Sequence, residues 1–314
     1  MTNKPLVSIC IPAYKRVEFL KRLLESISIQ SFKDFEVIIT DDSPTNEVYE
    51  LSQAYKDKFA LFYFKNAVAV GTPENWNEAI RHAKGEWIKI MHDDDWFSSP
   101  ESLEIFVEHI HNGCKLIFSG YTRIYETKTK PAEKMVWSSS YKKAIAKNPE
   151  ILFANNLIGP PSVTFIHRSA SETYDKKLKW RVDIDFYIRV LKQEGKYIYI
   201  NKSLINVGMS ETQVTQASIN DPKVELPEGW IFLKKHGIKP LRNIWIYDAW
   251  WRLFRNMNIK TEKQLVSYVN ENWPMVIVKM TKDIGRIPAV LVRGGITSKI
   301  FMGLSYLKNL SAID

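Results

Sequence analysis

The chain has 314 residues, of which 45% are hydrophobic and 25% charged, and this composition is that of a folded protein rather than a disordered one. Its length predicts about two domains, or one large domain with an appendage. The net charge of +9 comes from the end of the chain, because residues 231–314 hold 14 basic and 5 acidic residues. Overall charge therefore does not indicate nucleic-acid binding by residues 1–230.

Cysteine usage and apolar runs narrow the class of protein further. Two cysteines, Cys10 and Cys114, are too few for a zinc cluster or a disulfide framework, so a reducing compartment is the default. The N-terminal residues lack the long apolar run of a signal peptide. The sequence contains no stretch of about 18 uncharged apolar residues, so it predicts no membrane-spanning helix. We therefore expect a cytoplasmic protein.

In chain order, short apolar runs alternate with segments of helical spacing over the first 120 residues. The predicted strands are Leu6–Pro12, Phe35–Thr40, Leu61–Phe64, Trp87–Met91 and Lys115–Gly120. The predicted helices are Phe19–Ile29, Glu74–Ala83 and Ser102–Ile110. This alternation predicts βαβ units, and hence an α/β fold with a mostly parallel sheet flanked by helices.

The remainder of the chain is less regular. Two further strands are predicted at Val163–His167 and Ile198–Ile200, with a helix from about Asp183 to Lys192 between them. Residues 206–229 are polar and rich in turn formers, which predicts a loop or linker. From residue 230 onward the pattern is helical, basic and aromatic, with five of the ten tryptophans.

Polar residues follow three of the predicted strands directly. Tyr14, the pair Asp41-Asp42 and the run Asp93–Asp95 each come just after a strand ends. In a parallel sheet of this kind, ligands bind at the carboxyl ends of the strands. We therefore expect these residues to meet at one edge of the sheet.

Three consecutive carboxylates repel one another unless they are solvated or share a cation. Oxygen ligands of this kind suit Mg²⁺ or Mn²⁺, so Asp93–Asp95 is a candidate metal site. The alternative is an acidic surface turn. Asp41-Asp42 could accept hydrogen bonds from a base or a ribose, or could simply begin a turn or cap a helix. Tyr14 could stack on a nucleobase or pack against the protein.

Asp183 stands at the start of its predicted helix, where a carboxylate is either a cap or a ligand-facing group, and capping is the local default. Asp185 and Arg189, four residues apart, are expected to pair on that helix. The sequence contains no P-loop and no dinucleotide-binding, zinc-protease or serine-hydrolase motif. His92 adjoins the acidic run, and a structural or supporting role is expected for it.

These pieces, taken in order, resemble the family 2 glycosyltransferases of the GT-A fold over about residues 6–206. The residues that carry the resemblance are Val7–Arg16, Phe35–Ser43, Asn77–Ile88, Asp93–Trp96, Gly159–Ser162, Val182–Asp185 and Arg189. The resemblance implies a nucleotide-sugar donor, a divalent cation (Mn²⁺ or Mg²⁺) and transfer with inversion. Two departures are His92, where many members have Asp, and Val182, where many have Glu, and both leave the sugar specificity open.

The resemblance also implies roles for particular residues. Asp183 matches the general base, and Asp93 and Asp95 match the metal-binding D-x-D. The implied nucleotide-sugar contacts are Pro12, Tyr14, Asp41, Asp42, Asn77, Asp93 and Asp94. Gly159 and Ser162 fall where donor sugar and acceptor meet. The implied substrates are a nucleotide-diphosphate sugar, with UDP-sugar as first expectation, and a glycan or polyprenyl-diphosphate-linked acceptor of bacterial surface polysaccharide synthesis.

Two other functions stay open on the residues alone: a nucleotidyltransferase on a similar sheet, and a non-catalytic protein that binds a membrane surface. The expected organisation is a GT-A catalytic domain at 1–229, with a donor part at about 1–120 and an acceptor part at 121–229. A basic, aromatic helical region follows at 230–314.

In that C-terminal region, a stripe of five apolar residues has helical spacing. It consists of Ile246, Trp250, Leu253, Phe254 and Met257. Arg252 and Arg255 are expected to point away from it. Such helices either bind an anionic membrane surface, at the inner face of the plasma membrane, or pack on the catalytic domain with the basic residues in solvent. Nucleic acid is not an expected partner.

Overall fold

A computed structural model describes residues 4–127, 130–137, 139–170, 172–210 and 219–313. The chain divides into two compact units. The first contains residues 1–146, 158–176 and 185–211, and the second contains 147–157, 177–184 and 212–314. Among the described residues, no helix has both the length and the apolar character that crossing a membrane requires.

The first unit is built around a nine-stranded sheet. Its strands are β1 (Val7–Ala13), β2 (Phe35–Asp41), β3 (Ala60–Lys65), β4 (Trp87–Ile90), β5 (Asp95–Phe97), β6 (Leu116–Tyr125), β7 (Glu133–Met135), β8 (Thr164–His167) and β9 (Ile198–Met209). Its helices are α1 (Val17–Ser28), α2 (Glu47–Gln53), α3 (Glu74–His82), α4 (Ser102–Val107) and α5 (Ser139–Lys147), followed by α6 (Val182–Glu194), whose first turn belongs to the second unit.

The strand order is β3-β2-β1-β4-β8-β6-β9-β5, with β7 paired to β6. As predicted, β1, β2, β3 and β4 are parallel to one another. The rest of the sheet is mixed, because β8 runs antiparallel to both β4 and β6, while β6 and β9 are parallel. The parallel part is therefore smaller than the sequence pattern suggests, since β8 follows a short turn instead of a crossover helix.

Burial explains why the first strands form where they do. Every residue of β1 and β2 is buried, as expected for central strands of a sheet covered on both faces. Helix α1 covers one face with Leu20, Leu23, Leu24 and Ile27, which recur at helical spacing. Helix α3 packs on β1 and β2, and polar residues follow the carboxyl ends of β1, β2 and β4.

The second unit is helical. It contains α7 (Pro222–His236), α8 (Ile244–Asn256), α9 (Glu262–Tyr268), α10 (Met275–Arg286), α11 (Ala289–Arg293) and α12 (Gly295–Asn309). Residues 206–229 are therefore not one loop: β9 continues to Met209 and α7 begins at Pro222, while 211–218 lie outside the described residues. The division into domains at 1–229 and 230–314 stays a prediction.

The predicted apolar stripe of α8 faces inward. Ile246, Trp250, Leu253 and Phe254 are buried, and Met257 is partly buried. The two arginines are not in free solvent either: Arg252 pairs with Asp248, and Arg255 donates to the Ser298 hydroxyl. The α8 stripe therefore packs inside the protein, and the alternative that this stripe binds a membrane surface is wrong.

Candidate active site

The acidic run lies directly after β4, whose four residues are buried. Asp93, Asp94 and Asp95 are themselves buried, with exposed fractions of 2%, 6% and 2%. An acidic surface turn, the alternative interpretation, is therefore wrong. Three carboxylates at such depth require compensation by cations or hydrogen-bond donors.

Arg16 supplies part of this compensation from the turn after β1. Its Nη1 donates to Asp94 Oδ2 at 2.9 Å, and its Nε donates to Asp93 Oδ2 at 3.2 Å, with a further bond from Nη2 to Asp93 Oδ1. Burial nevertheless raises the pKa of Asp93 to about 7, against the opposing effect of the arginine. Arg16 thus pairs with both Asp93 and Asp94.

A different trio offers ligands for a metal. Donor atoms of His92, Asp94 and Asp95 all lie within 4.8 Å of one another. His92 Nε2 is buried and has no hydrogen-bond partner among the described residues. Burial lowers the pKa of this imidazole to about 4, so it is neutral and keeps a lone pair for coordination. Two carboxylates and one imidazole fit Mn²⁺, and the carboxylates fit Mg²⁺.

The predicted metal pair was Asp93 and Asp95. Asp95 belongs to the trio, whereas Asp93 faces Arg16. Burial raises the pKa of Asp95 well above its usual range, and a hydrogen bond from Ser162 opposes that rise. The Gly208 N–H donates to Asp95 Oδ1 at 3.2 Å. These contacts hold the carboxylate in one orientation even without an ion.

Ser162 ties the turn before β8 to the acidic run. Its Oγ accepts from the His92 N–H at 3.0 Å, and its carbonyl accepts from Lys89 Nζ. Lys89 lies fully buried within β4 and also donates to the Thr164 carbonyl at 3.2 Å. Ser162, predicted near the sugar, is therefore in hydrogen-bond contact with the metal-binding candidates.

Gly159 shapes the same turn. Its φ of 105° lies in a region that residues with a side chain rarely adopt, and an added Cβ would stand 2.7 Å from the Tyr121 ring. The Tyr187 hydroxyl donates to its carbonyl at 3.2 Å. Glycine is needed here for conformation and for close packing.

The acidic pair after β2 has two different environments. Asp41 is fully buried and accepts from the Tyr63 hydroxyl at 2.7 Å and from Lys65 Nζ at 3.0 Å. Asp42 accepts from the backbone N–H groups of Val70 and Gly71, at 3.1 and 2.8 Å. Asp41 stabilises the end of the strand, while Asp42 holds the loop that precedes α3.

Three other predicted contacts lie on the elements around this edge. Tyr14, just after β1, is 49% exposed, so its ring is available for stacking. Pro12 is buried within β1. Asn77 is also buried, and its amide accepts from the Tyr174 N–H at 2.8 Å and donates to the Tyr174 carbonyl at 3.0 Å. The Asn77 side chain therefore holds the chain at Tyr174, which argues against direct contact with a nucleotide.

Asp183 lies in the second unit, in the first turn of α6. Its Oδ2 accepts from Asn156 Nδ2 at 2.6 Å and its Oδ1 from the Ile184 N–H at 2.8 Å. Burial raises the pKa of this carboxyl to about 6, and these hydrogen bonds and Arg181 oppose the rise. Asp183 is thus ionised at neutral pH yet basic enough to take a proton.

The segment before Asp183 is held rigidly. The Glu228 carboxylate of α7 accepts from three consecutive backbone N–H groups, those of residues 179–181, at 2.6 to 2.8 Å. Arg181 also pairs with Glu225 at 2.6 Å. The predicted pair of Asp185 and Arg189 is confirmed at 2.9 Å.

Comparison with known proteins identifies the family of this chain. The sequence profile of the family described as "Glycosyl transferase family 2" matches residues 8–174, slightly more than half of the chain. The chain belongs to this family. Among its relatives, a proposed colanic acid biosynthesis glycosyl transferase, WcaA, of Escherichia coli (strain K12) is 26% identical over 224 residues, which cover 69% of this chain and 78% of that protein.

Solved structures agree with the glycosyltransferase assignment at the level of fold. S. aureus TarS 1-349 in complex with UDP-GlcNAc has a TM-score of 0.58 at 14% identity, covering 98% of this chain and 81% of TarS. The mannosyltransferase PcManGT from Pyrobaculum calidifontis, solved with GDP-Man and Mn²⁺, has a TM-score of 0.58 at 13% identity, covering 98% and 88%. The predicted GT-A-type α/β fold with a helical C-terminal part is thereby confirmed.

Three residues of this glycosyltransferase site were not assigned a ligand-directed role from sequence. Arg16 stands only two residues after Tyr14, but its contact with Asp93 spans 77 positions. For His92 the sequence predicts a structural or supporting role, and its ring also offers a ligand atom within the candidate metal-binding trio. Lys89 is a charged residue in an otherwise apolar strand, and that anomaly was the one available signal for it.

Proposed function

We propose that this glycosyltransferase moves a sugar from a nucleotide-diphosphate donor to an acceptor hydroxyl, with a divalent cation and with inversion at the sugar. UDP-sugar is the first candidate for the donor. The observation that carries the proposal is the trio of half-buried His92 and buried Asp94 and Asp95 after β4 of a family 2 domain.

The donor assignment rests on the residues that follow β1 and β2. The exposed Tyr14 ring offers a stacking surface for a base. Asp42, with its loop at Val70 and Gly71, lies at the end of the neighbouring parallel strand. Both positions suit recognition of a nucleotide at the carboxyl edge of a parallel sheet. TarS and PcManGT, which share the fold, were solved with UDP-GlcNAc and GDP-Man respectively.

The cation is proposed to be Mn²⁺ or Mg²⁺, held by Asp94 and Asp95 with His92. When bound, it would neutralise negative charge on the diphosphate leaving group. Arg16 forms ion pairs with both Asp93 and Asp94 and adds a fixed positive charge to the same region. Ser162 orients Asp95 and links the acidic run to the turn at Gly159, where the sugar is proposed to lie.

Asp183 is proposed as the general base. Its carboxylate would accept the proton of the acceptor hydroxyl as the new glycosidic bond forms, and general-base catalysis contributes typically about 10²–10⁴-fold. Direct attack on the face opposite the leaving group inverts the anomeric carbon. Asn156 and the Ile184 N–H hold the carboxylate in place.

The acceptor is proposed to be a glycan or a polyprenyl-diphosphate-linked sugar of a bacterial surface polysaccharide. Support comes from the relative WcaA, which is described as a colanic acid biosynthesis glycosyl transferase. The basic C-terminal region suits an acceptor presented at an anionic membrane surface, so the enzyme would work in the cytoplasm at the inner membrane face.

The test begins with thermal-shift measurements against a panel of nucleotide sugars in Mn²⁺, which identify the donor by its stabilisation of the protein. Turnover of that donor is then followed by the nucleotide product. A glycosyltransferase releases a nucleoside diphosphate from the nucleotide sugar, whereas transfer of the nucleotidyl group would release a sugar phosphate. We expect EDTA to abolish turnover and Mn²⁺ or Mg²⁺ to restore it.

Two variants distinguish loss of the proposed general base from loss of the folded structure. Asp183→Asn should retain the donor-induced thermal shift and lose transfer. Asp221→Asn is the matched control, because Asp221 caps α7 and asparagine caps helices equally well. Near-wild-type transfer by Asp183→Asn would exclude the proposed base, and undiminished turnover in EDTA would exclude the metal.

A further inference from the structure

Helix α12 carries an apolar stripe on its outer side. Ile296, Ile300, Leu304 and Leu307 recur at helical spacing and are 80%, 57%, 59% and 65% exposed. We call these four residues the α12 stripe. Val290 of α11, 83% exposed, lies six residues before it. Exposed apolar residues are ordinary one at a time, but a continuous row on one helix face marks an interaction surface.

The opposite face of α12 fixes the stripe in its outward orientation. Ser298, Met302, Ser305 and Asn309 are buried. The Trp251 indole donates to Ser298 at 3.1 Å, and the hydroxyls of Tyr247 and Ser305 lie 2.8 Å apart. Rotating the helix to hide the stripe would break these buried hydrogen bonds, so the stripe is a stable feature of this unit.

The charge around the stripe is net positive. Residues 284–313 contain four basic residues and no acidic one. Helix geometry places Lys299 along one edge of the stripe and Lys308 along the other. Lys299 pairs with Asp248 and Lys308 with Asp283, but each carboxylate also has an arginine nearby, Arg252 and Arg286 respectively. Each group of two cations and one anion keeps a net positive charge.

We propose that the α12 stripe, with Val290, is the surface by which this protein docks on an anionic lipid bilayer. The apolar side chains enter the boundary between headgroups and acyl chains, and Lys299 and Lys308 lie at the level of the lipid phosphates. This deepens the membrane part of the proposed function, and it moves the docking surface from α8, whose stripe is buried, to α12.

Charge decides between a bilayer and a second copy of the chain. Helices that pair through such a stripe usually carry opposite charges at its edges. Two α12 helices packed face to face would instead bring together edges that are each net positive, because each edge holds two cations and one anion. An anionic bilayer complements both the apolar row and its basic edges.

The experiment compares binding of the full chain to two kinds of vesicle: phosphatidylcholine alone, and equal parts of phosphatidylcholine and phosphatidylglycerol. The test variant is Ile300→Ser. The matched control is Ile29→Ser, since Ile29 is 59% exposed in the first unit. We expect wild type and Ile29→Ser to co-sediment with the anionic vesicles only, and Ile300→Ser to lose at least about tenfold in binding.

Failure of docking and failure of the catalytic proposal give different results. All three proteins should show the same Mn²⁺-dependent thermal shift with the donor. A retained shift without vesicle binding by wild type overturns the docking proposal alone. Equal vesicle binding by Ile300→Ser and wild type also overturns it. So does a wild-type dimer, seen by light scattering without lipid, that Ile300→Ser converts to a monomer.

Discussion

The hydrogen bond from Asn156 to Asp183 provides a sharp test of the proposed base. Asn156 Nδ2 lies 2.6 Å from Asp183 Oδ2 and stabilises the ionised carboxylate, which lowers its pKa. Asn156→Ala removes that bond, which then no longer opposes the effect of burial on the pKa of Asp183. The pKa of Asp183 should therefore rise further above its value of about 6.

The magnitude follows from the two protonation states. With a pKa of about 6, roughly nine tenths of Asp183 is ionised at pH 7 and about one tenth at pH 5, so kcat/KM should fall about tenfold over that interval. A hydrogen bond to a charged group is worth about 1.5–3 kcal/mol. Because 1.36 kcal/mol corresponds to one pKa unit, the acid limb in Asn156→Ala should move up by about 1–2 pH units.

The assay is kcat/KM for the identified donor between pH 5 and pH 9, measured for wild type, Asn156→Ala and Asn155→Ala. Asn155 is exposed and serves as the neighbouring control. Asp93 also has a raised pKa, so the difference between the variants decides the question and the wild-type profile alone does not. An acid limb that stays in place in Asn156→Ala would refute the assignment of Asp183 as base.

Three other predictions follow from single contacts. Asp183→Asn should raise the melting temperature at pH 8 and leave it unchanged at pH 4. The raised pKa of the Asp183 carboxyl costs no folding stability below about pH 4. Above pH 6 the folded protein must hold the charge, which costs about 1–3 kcal/mol of stability. An equal melting temperature at pH 8 would show that burial of this charge is not destabilising. Gly159→Ala should cost about 1–3 kcal/mol of stability, because the φ of Gly159 is 105° and an added Cβ would meet Tyr121. Gly113 also has a positive φ but open space around it, so Gly113→Ala should cost less stability. Equal costs for the two variants would exclude a clash with Tyr121. Ser162→Ala should weaken Mn²⁺-dependent donor binding about tenfold in calorimetry, because it removes the contacts of Ser162 with His92 and Asp95. The control Ser119→Ala should bind the donor normally, because the Ser119 hydroxyl donates only to the adjacent Gly120 carbonyl among the described contacts. Normal binding by Ser162→Ala would show that this contact does not organise the site.

Local apolar pattern was enough to place the central strands. The predicted strands at Phe35–Thr40 and Trp87–Met91 differ by one residue from β2 and β4, because continuous apolar runs of this length are buried on both faces. Strand β5 was not predictable, since its three residues begin with Asp95 and pair only with β9, more than a hundred positions away. Helix α5 was missed because its surroundings are polar and rich in lysine.

The position of the site was predictable, but the partners within it were not. The carboxyl-end rule placed Asp93–Asp95 after a buried strand. Asp93 and Asp94 pair with Arg16, and Asp94 and Asp95 lie near His92; these partners depend on side-chain directions after the turn, which sequence spacing does not give. In the same way, helical spacing identified the apolar face of α8 but could not show that it packs inward.

The central claim is that a nucleoside diphosphate and a divalent cation bind together at the acidic run. Calorimetric titration of UDP and GDP into wild type and Asp95→Asn, each in Mn²⁺ and in EDTA, tests it most directly. We predict binding of at least one of the two nucleotides to wild type in Mn²⁺, weakened at least about tenfold in EDTA and in Asp95→Asn. Equal binding in all four conditions, or binding of neither nucleotide to wild type in Mn²⁺, would contradict the account.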